Sequence, residues 1–524
     1  MRKAGQAPPS TPVTHRRSPA RRTLAFAIQA MRGTWLGPPV PGAIFAGAAF
    51  DSRELVAGEL FFALPGERVD GYDFCGPAAA AGAAALVVDR RRGPPPGLAA
   101  AGGAHSAVPV IGVPVIGVDD PRAALADLAR AIRADFSGRV VGITGSNGKT
   151  TTRELTAAAL GASGTVLQTQ GNYNTEIGLP LTIIGASGDE TTWVLEMAMR
   201  GRGQIALLAD IARPHVGVIT NVAEAHLELL GSIEEVARAK GELFAALGPD
   251  GIAVLPGGFP LIEAQAAHLP ESRKLRFDGG GAAISAGTDE AGGGVTARGT
   301  PLDVVILEAL PAGAAGQVVR YAVGRQPVVA RLPLAGLHNA RNGAAALAVV
   351  AALKLPVPEA ARALSRTVLP AHRSFPIAVA GRIIVDDCYN ANPTSMRAAL
   401  RALRDNAVRP ANPGGRAFAI LGDMLEQGPS EAELHHAIGC EVGSWLAGLA
   451  VVGPLAAEIG VGAKEAGLDS ARVVMSNDPA AAARVVGAWS VPGDWILVKA
   501  SRGMRLERAV EALVEEFRKQ PPMA

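Results

Sequence analysis

The sequence predicts an α/β protein of several domains built around parallel-rich sheets, on three observations. The chain has 524 residues, well beyond the roughly 250–300 residues at which a single core stops growing, so two to four domains are expected. From about residue 359 onward, short apolar runs alternate with helix-length segments. That is the rhythm of βαβ units and implies a parallel sheet. At 139–160 a strand-like run leads into a glycine loop, a Lys-Thr pair and a helix.

The elements follow in order. Residues 1–22 are rich in Pro and Arg and read as a disordered basic tail. The apolar stretch 24–31 behind them contains Gln29 and runs into Arg32 without a small-residue cleavage site, so it is not read as a signal peptide. A first α/β segment covers 23–135, with apolar runs at 60–64, 83–88 and 108–118. A helix over 121–133 follows, with Asp120 as N-cap and Pro121 in its first turn. The second segment spans 136–358. It has a strand at 140–144, a helix at 151–160, and buried strands at 192–197 and 215–222. A helix over 232–247 opens on a capping box made by Ser232 and Glu235. Residues 279–315 are Gly-rich and turn-like and read as short strands and loops, and 339–353 is an Ala-rich helix. The third segment, 359–524, shows strands at 383–387, 417–421, 449–452, 473–475 and 495–499.

Composition narrows the function classes. Apolar residues make up 48% of the chain but aromatics only 4%, so its cores must be built from Ala, Val and Leu. The formal net charge is +2 and the body of the chain has no basic stripe with interleaved aromatics, which speaks against nucleic acid as a partner. The longest apolar runs, such as 343–353, are too short for about 30 Å of hydrocarbon, so no stable membrane insertion is expected. The basic tail is read as a solvated arm. Cys75, Cys388 and Cys440 match no zinc or disulfide spacing and are read as buried free thiols of a cytoplasmic protein.

The loop Gly145-Ser146-Asn147-Gly148-Lys149-Thr150-Thr151 carries the strongest chemical signal. Glycines let backbone N–H groups approach phosphate oxygens, and the following helix N-terminus favours negative charge. Lys149 would reach the β- and γ-phosphates of ATP, and Thr150 would place its hydroxyl on Mg²⁺. The spacing is not the standard one, because Ile143 stands where the first glycine of that pattern belongs. Three further residues carry weaker signals. Glu196 ends a buried strand, where a carboxylate faces the ligand crevice of an α/β sheet and suits Mg²⁺. A solvated strand-end acid is the competing reading. His226 follows the next strand and is either structural or a metal or phosphate contact. Lys240 sits on the capped helix, where a solvated lysine is the ordinary case. Gly241 beside it is costly in a helix and hints at a close approach.

Taken together, the chain resembles the Mur ligase family, closest to its D-alanyl-D-alanine-adding branch. The resemblance covers about residues 23–515. It rests on Asp51-Ser52-Arg53, the phosphate loop, Asn172-Tyr173-Asn174-Thr175-Glu176, Glu196-Met197, Thr220-Asn221 through His226, and Ala239-Lys240-Gly241-Glu242. Further along come Gly336 to Asn342, Asp386-Asp387-Cys388-Tyr389-Asn390-Ala391-Asn392-Pro393, Leu421-Gly422-Asp423-Met424, and Lys499-Ala500-Ser501-Arg502. Tyr389 to Pro393 and Leu421 to Met424 separate this branch from its sisters.

The resemblance implies a three-domain architecture: a UDP-substrate domain at 23–135, a central P-loop-type ATPase domain at 136–358, and a Rossmann-like ligase domain at 359–524. It implies an ATP-dependent amide ligase that joins UDP-N-acetylmuramoyl-tripeptide to D-Ala-D-Ala through an acyl phosphate, acting as a cytoplasmic monomer. It also implies two Mg²⁺ ions. Thr150 and Glu196 would hold one; His226 and a carbamylated Lys240, formed from CO₂, would serve the second. Asn342 would contact adenine, Asp387 the ribose and Arg373 the γ-phosphate. Ser52 and Arg53 would meet the uridine nucleotide. Asn172, Asn174 and Thr175 would lie near the substrate's pyrophosphate and peptide, and Tyr389, Asn390 and Asn392 near the dipeptide. Ala198, Gln204, Cys388 and Ala500 depart from the family pattern without removing a metal or phosphate ligand. A sister ligase, or an inactive nucleotide-binding scaffold, is the alternative.

Overall fold

The computed structural model describes residues 18–66, 68–96, 112–223, 230–279, 294–295, 301–407, 412 and 414–519. These residues form an α/β chain that separates into two compact units. One comprises Met1–Gly138 with Glu176–Glu190, the other residues 139–175 with Thr191–Ala524.

The first unit carries a five-stranded sheet in the order Thr34–Trp35, Val115–Val118, Ala85–Asp89, Leu60–Phe62, Ala48–Ala49. Its interior strands are parallel and buried on both faces, which is why they read as continuous apolar runs. The helix Pro121–Asp135 forms as expected, with the Asp120 carboxylate accepting from the Arg122 amide at 2.8 Å. Leu24–Met31 is a short helix whose Leu24, Ala27 and Met31 are buried. The boundary of the expected tail falls inside ordered structure, since Arg22 pairs antiparallel with Phe45. Residues 1–17 of that tail lie outside the described residues.

The second unit holds two larger sheets. The nine-stranded one runs Gln326–Leu332, Gln317–Val323, Val304–Pro311, Lys274–Phe277, Ile252–Pro256, Val216–Ile219, Arg139–Thr144, Thr192–Glu196, Val166–Gln168. It is parallel from Lys274–Phe277 to Val166–Gln168 and antiparallel across the last three strands of the other side. The helices Lys149–Leu160 and Leu337–Ala352 lie against each other and share one core with Val141, Ile143, Val194 and Val218. Each Val or Leu fully buried there contributes about 1.5–3 kcal/mol relative to exposure. Alanines in the second helix permit its close approach, and the Tyr321 hydroxyl, from the strand Gln317–Val323, donates to the Ala340 carbonyl at 2.8 Å.

The six-stranded sheet runs Phe375–Val379, Arg382–Asp387, Trp495–Lys499, Ala417–Gly422, Gly448–Val452, Val473–Ser476. All five strands expected in the third segment are present and mutually parallel. The sixth strand, Phe375–Val379, pairs antiparallel with Arg382–Asp387 through a hairpin in which Ala380 and Gly381 take positive φ. Pro376 inside this short apolar run argues against a strand in a sequence reading, and is tolerated because the strand lies at the sheet edge.

Two expectations are corrected. The strand expected over 215–222 is shorter, Val216–Ile219, because Thr220 and Asn221 turn away to hold the phosphate loop. The capping box is half formed. Ser232 accepts from the Glu235 amide at 3.3 Å, but the Glu235 carboxylate pairs with Arg202 and Arg238 instead of reaching back. Among the described residues no helix is long and apolar enough to cross a membrane.

Candidate functional site

The strand Arg139–Thr144 lies in the interior of the nine-stranded sheet and delivers the glycine loop at its C-terminal end. Gly145 has φ 151°, and a Cβ there would lie 1.9 Å from the Thr220 hydroxyl oxygen. Gly148 has φ 78° and serves as N-cap of the helix Lys149–Leu160 without any side-chain cap bond. The amides of Ser146 and Asn147 are already engaged, donating to the Asn221 carbonyl at 3.0 Å and to Asn221 Oδ1 at 2.9 Å. Thr220 Oγ1 and Asn221 Nδ2 donate to the Asn147 carbonyl at 2.6 and 2.9 Å. Among the described residues, no acceptor is found for the amides of Gly148, Lys149, Thr150 and Thr151. Four orphan donors at a helix N-terminus form a cradle for an anion. The loop thus divides its labour: 145–147 anchor it, and 148–151 face the cleft.

Lys149 folds over this loop and donates to the Gly145 and Ser146 carbonyls at 2.8 and 3.3 Å. Burial pulls its pKa down, Glu196 opposes that shift, and Arg373 adds to it. Glu196, 1% exposed at the end of its strand, is the hub of the site and not a solvated acid. Its Oε2 accepts from Thr150 Oγ1 at 2.9 Å and from Arg153 Nη1 at 3.0 Å, and its Oε1 accepts from Asn174 Nδ2 at 2.7 Å. Arg153 also pairs with Glu154. Local sequence gave no sign of Arg153, which is 1% exposed on the helix face turned to the sheet. Truncating Glu196 to Ala will therefore lower stability by about 3 kcal/mol, the low end for breaking a buried pair, because Arg153 keeps Glu154. Urea unfolding checks this; a loss below about 1 kcal/mol would mean the hub contributes nothing to the fold.

Lys240 is 2% exposed on the helix Ile233–Ala245, and no described residue hydrogen-bonds its ammonium. Burial, reinforced by Lys149, pushes its pKa well below the ordinary lysine value. The expected solvated face is thus a buried amine driven toward its neutral form. What approaches Gly241 is Gln265, whose side chain a Cβ would meet at 2.7 Å. His226 lies outside the described residues.

The opposite wall comes from the third segment. Arg373 lies between two residues of positive φ, His372 and Ser374, and stacks on Tyr389 with its guanidinium carbon 3.6 Å from the ring centre. Asp387 accepts from the Ser374 amide at 3.0 Å and from Lys499 Nζ at 2.6 Å, and Lys499 also donates to the Asn390 carbonyl at 2.9 Å. Asn392 accepts from the Ser395 amide at 2.8 Å at the start of helix Pro393–Ala407, and its Nδ2 donates to Asn147 Oδ1 at 2.8 Å. That bond ties the third segment directly to the phosphate loop. Asn342 Oδ1 accepts from Thr152 Oγ1 at 3.3 Å and sits where a Cβ on Gly148 would meet it at 2.6 Å. His338 is held neutral, its pKa pushed down to about 4 by burial.

Of these residues, Ser146 to Thr151, Asn174, Glu196, Asn342, Arg373, Asp387, Tyr389, Asn390 and Asn392 line one cleft of about 530 Å³, and Lys240 lies outside its lining. Arg341, Arg397 and Arg401 also line it and escaped the sequence reading. Exposed Asn172 and Thr175 belong to the same unit, outside the cleft lining. Ser52 and Arg53 belong to the other unit, with Arg53 pairing to Asp51 through Nε at 2.9 Å. Of the departures from the family pattern, Gln204 accepts from the Arg200 and Gly201 amides at 2.6 and 3.1 Å. Cys388 is buried and its pKa is raised, mainly by that burial. Cys440 is exposed, which corrects the expectation of three buried thiols.

Hard oxygen donors at Thr150 and Glu196 fit Mg²⁺, and the orphan amides with Lys149 and Arg373 fit a polyphosphate. Comparison with known proteins bears on which one. Family models match in sequence order: the Mur ligase family catalytic domain over residues 45–133, the Mur ligase middle domain over 143–350, and the Mur ligase glutamate ligase domain over 372–502. The UDP-N-acetylmuramoyl-tripeptide–D-alanyl-D-alanine ligase of Bacillus subtilis is 33% identical over 497 residues, covering 94% of this chain and 99% of the relative. A crystal structure of MurF from Acinetobacter baumannii superposes with a TM-score of 0.76 at 26% identity, over 94% of this chain and 99% of the other. MurF ligase from Thermotoga maritima, solved in complex with ADP, gives 0.71 at 29% identity over 91% and 98%.

Proposed function

Because the chain belongs to the Mur ligase family, we propose that it is an ADP-forming ligase that joins D-alanyl-D-alanine to UDP-N-acetylmuramoyl-tripeptide in peptidoglycan precursor synthesis. The observation that carries the reading is the single cleft in which the phosphate loop, Glu196 and Lys149 face Arg373, Tyr389, Asn390 and Asn392. Relatives bearing that name align with 94% and 89% of this chain. The three domains are assigned to 23–135, 136–358 and 359–524, and the enzyme acts in the cytoplasm as a monomer.

The residues divide the work. The amides of Gly148 to Thr151 and the Lys149 ammonium bind the ATP phosphates, and Arg373, pre-oriented by Tyr389, meets the γ-phosphate. Asn342 serves the adenine and Asp387 the ribose. Thr150 and Glu196 would hold one Mg²⁺; His226 and Lys240 would serve a second. When bound, Mg²⁺ neutralises charge on the transferring phosphoryl group. Lys240 suits carbamylation because only a neutral amine attacks CO₂, and its buried amine is driven to that form. Addition releases one proton and turns a cation into a carboxylate. The tripeptide's terminal carboxylate, steered by Asn172, Asn174 and Thr175, attacks the γ-phosphate, and ADP departs. The amine of the dipeptide, held by Tyr389, Asn390 and Asn392, attacks the acyl carbon, and phosphate leaves. Ser52 and Arg53 bind the uridine nucleotide. Positioning supplies most of the rate, since three ligands must meet away from water.

Phosphate release by the purified protein with Mg²⁺ and ATP tests the reading. Release is expected only when UDP-N-acetylmuramoyl-tripeptide and D-Ala-D-Ala are both present. Release with a single amino acid in place of the dipeptide would reassign the chain to a sister ligase, and silence with every acceptor would overturn the enzyme reading.

A further inference from the structure

Away from the cleft, a second cluster of donor atoms is built into the third segment. His436 and Cys440 stand four residues apart on the helix Glu431–Val442, so their side chains share one face. Glu465 ends the neighbouring helix, Ala456–Glu465. Cys440 Sγ lies 3.6 Å from His436 Nδ1, and His436 Nε2 lies 2.9 Å from Glu465 Oε2. One ligand atom from each of the three residues falls within 4.8 Å of the other two.

The backbone holds these groups in place. A Cβ on Gly439 would lie 2.1 Å from the Ile459 carbonyl oxygen, and one on Gly443 would lie 2.2 Å from that of Ala463. From the other helix, a Cβ on Gly462 would meet the His436 carbonyl oxygen at 2.3 Å and Cys440 Sγ at 3.2 Å. Three glycines therefore bring the helices into backbone contact beside the cluster. A donor pair mounted on such a rigid contact needs little reorganisation to bind an ion.

We propose that Cys440 Sγ and His436 Nδ1 chelate a thiophilic divalent cation, Zn²⁺ by chemistry, with Glu465 orienting the imidazole. Sulfur and nitrogen at ~2.3 and ~2.0 Å from a tetrahedral ion lie about 3.5 Å apart, close to the separation found here. A proton on Nε2 directed at Glu465 leaves the Nδ1 lone pair free for the metal, the carboxylate–histidine–metal arrangement of protein zinc sites. Binding releases the thiol proton to solvent, and water fills the remaining positions. The site is chemically distinct from the cleft, whose oxygen donors suit a hard cation. It links the helix Ala456–Glu465, which packs on the strand Gly448–Val452, to the helix Glu431–Val442, whose His435 Nε2 accepts from the Met424 amide at 2.8 Å.

Cobalt titration of the full-length protein tests this, because a cobalt–thiolate bond absorbs in the near ultraviolet. The band should saturate at one ion per chain, disappear on adding Zn²⁺ and persist on adding Mg²⁺. C440S should abolish it, H436A should weaken Zn²⁺ binding at least about tenfold, and Glu465→Gln about 10–100-fold. All three side chains are at least partly exposed, and circular dichroism of each metal-free variant should match the parent. No band in the parent would overturn the proposal. So would a band that survives C440S, since only the buried Cys75 and Cys388 remain to produce it.

Discussion

Replacing Lys149 by methionine will lower kcat by about 10²–10³-fold, the loss typical of removing one donor from developing charge, while leaving Tm nearly unchanged. The two halves of this expectation come from different contacts. Among the described residues the Lys149 ammonium donates only to the Gly145 and Ser146 carbonyls, and burial already disfavours its charge. Methionine keeps the unbranched stem and removes a cation from beside Arg373 and Lys240, so the folded state loses little. The loop stays anchored through Thr220 and Asn221. When phosphates are bound, no other ammonium lies on the loop to balance them. Steady-state phosphate release and a thermal melt check both halves. Activity within tenfold of the parent would remove Lys149 from the phosphate site, and a fall of many degrees in Tm would make its role structural.

Lys240→Met should cut activity at least about 100-fold and leave the protein equally stable or slightly more so. The Lys240 amine is buried and already driven toward its neutral form, so removing it relieves a desolvation penalty and breaks no ion pair seen among the described residues. Methionine fills the same volume without that penalty. A purely structural lysine would lose activity through misfolding, which a melt would reveal. A second readout is specific to the carbamate. Preparing the parent in CO₂-depleted buffer should lower its activity, and bicarbonate should restore it. Lys240→Met should respond to neither. An active Lys240→Met enzyme, or a parent indifferent to CO₂, would refute the carbamate.

Much of the chemistry was legible before any fold was known. The strand–glycine loop–lysine–helix unit is local. Its glycines, its Lys-Thr pair and its uncapped helix start lie within a dozen residues, so the chain alone specifies the cradle. The βαβ rhythm of the third segment reads equally well, because three of its five parallel strands are buried throughout and leave continuous apolar runs between the helices. Asp120 as a helix cap is local for the same reason.

Other properties depend on partners far away in the chain. Glu196 is equivocal as a strand-end acid and becomes a hub only because Thr150, Arg153 and Asn174 converge on it. Lys240 looks like a solvated helix lysine until the helix's packing shows which face is buried. Asn392 and Asn147 lie 245 positions apart, and no periodicity joins them. Cys440, expected to be buried like Cys75 and Cys388, turns outward beside His436 because glycines let two helices touch there. Backbone conformation and helix capping are set by neighbours within a few residues, so the one-dimensional pattern carries them. Burial, charge pairing and the meeting of donors are set by long-range packing, which exists only once the sheets are assembled.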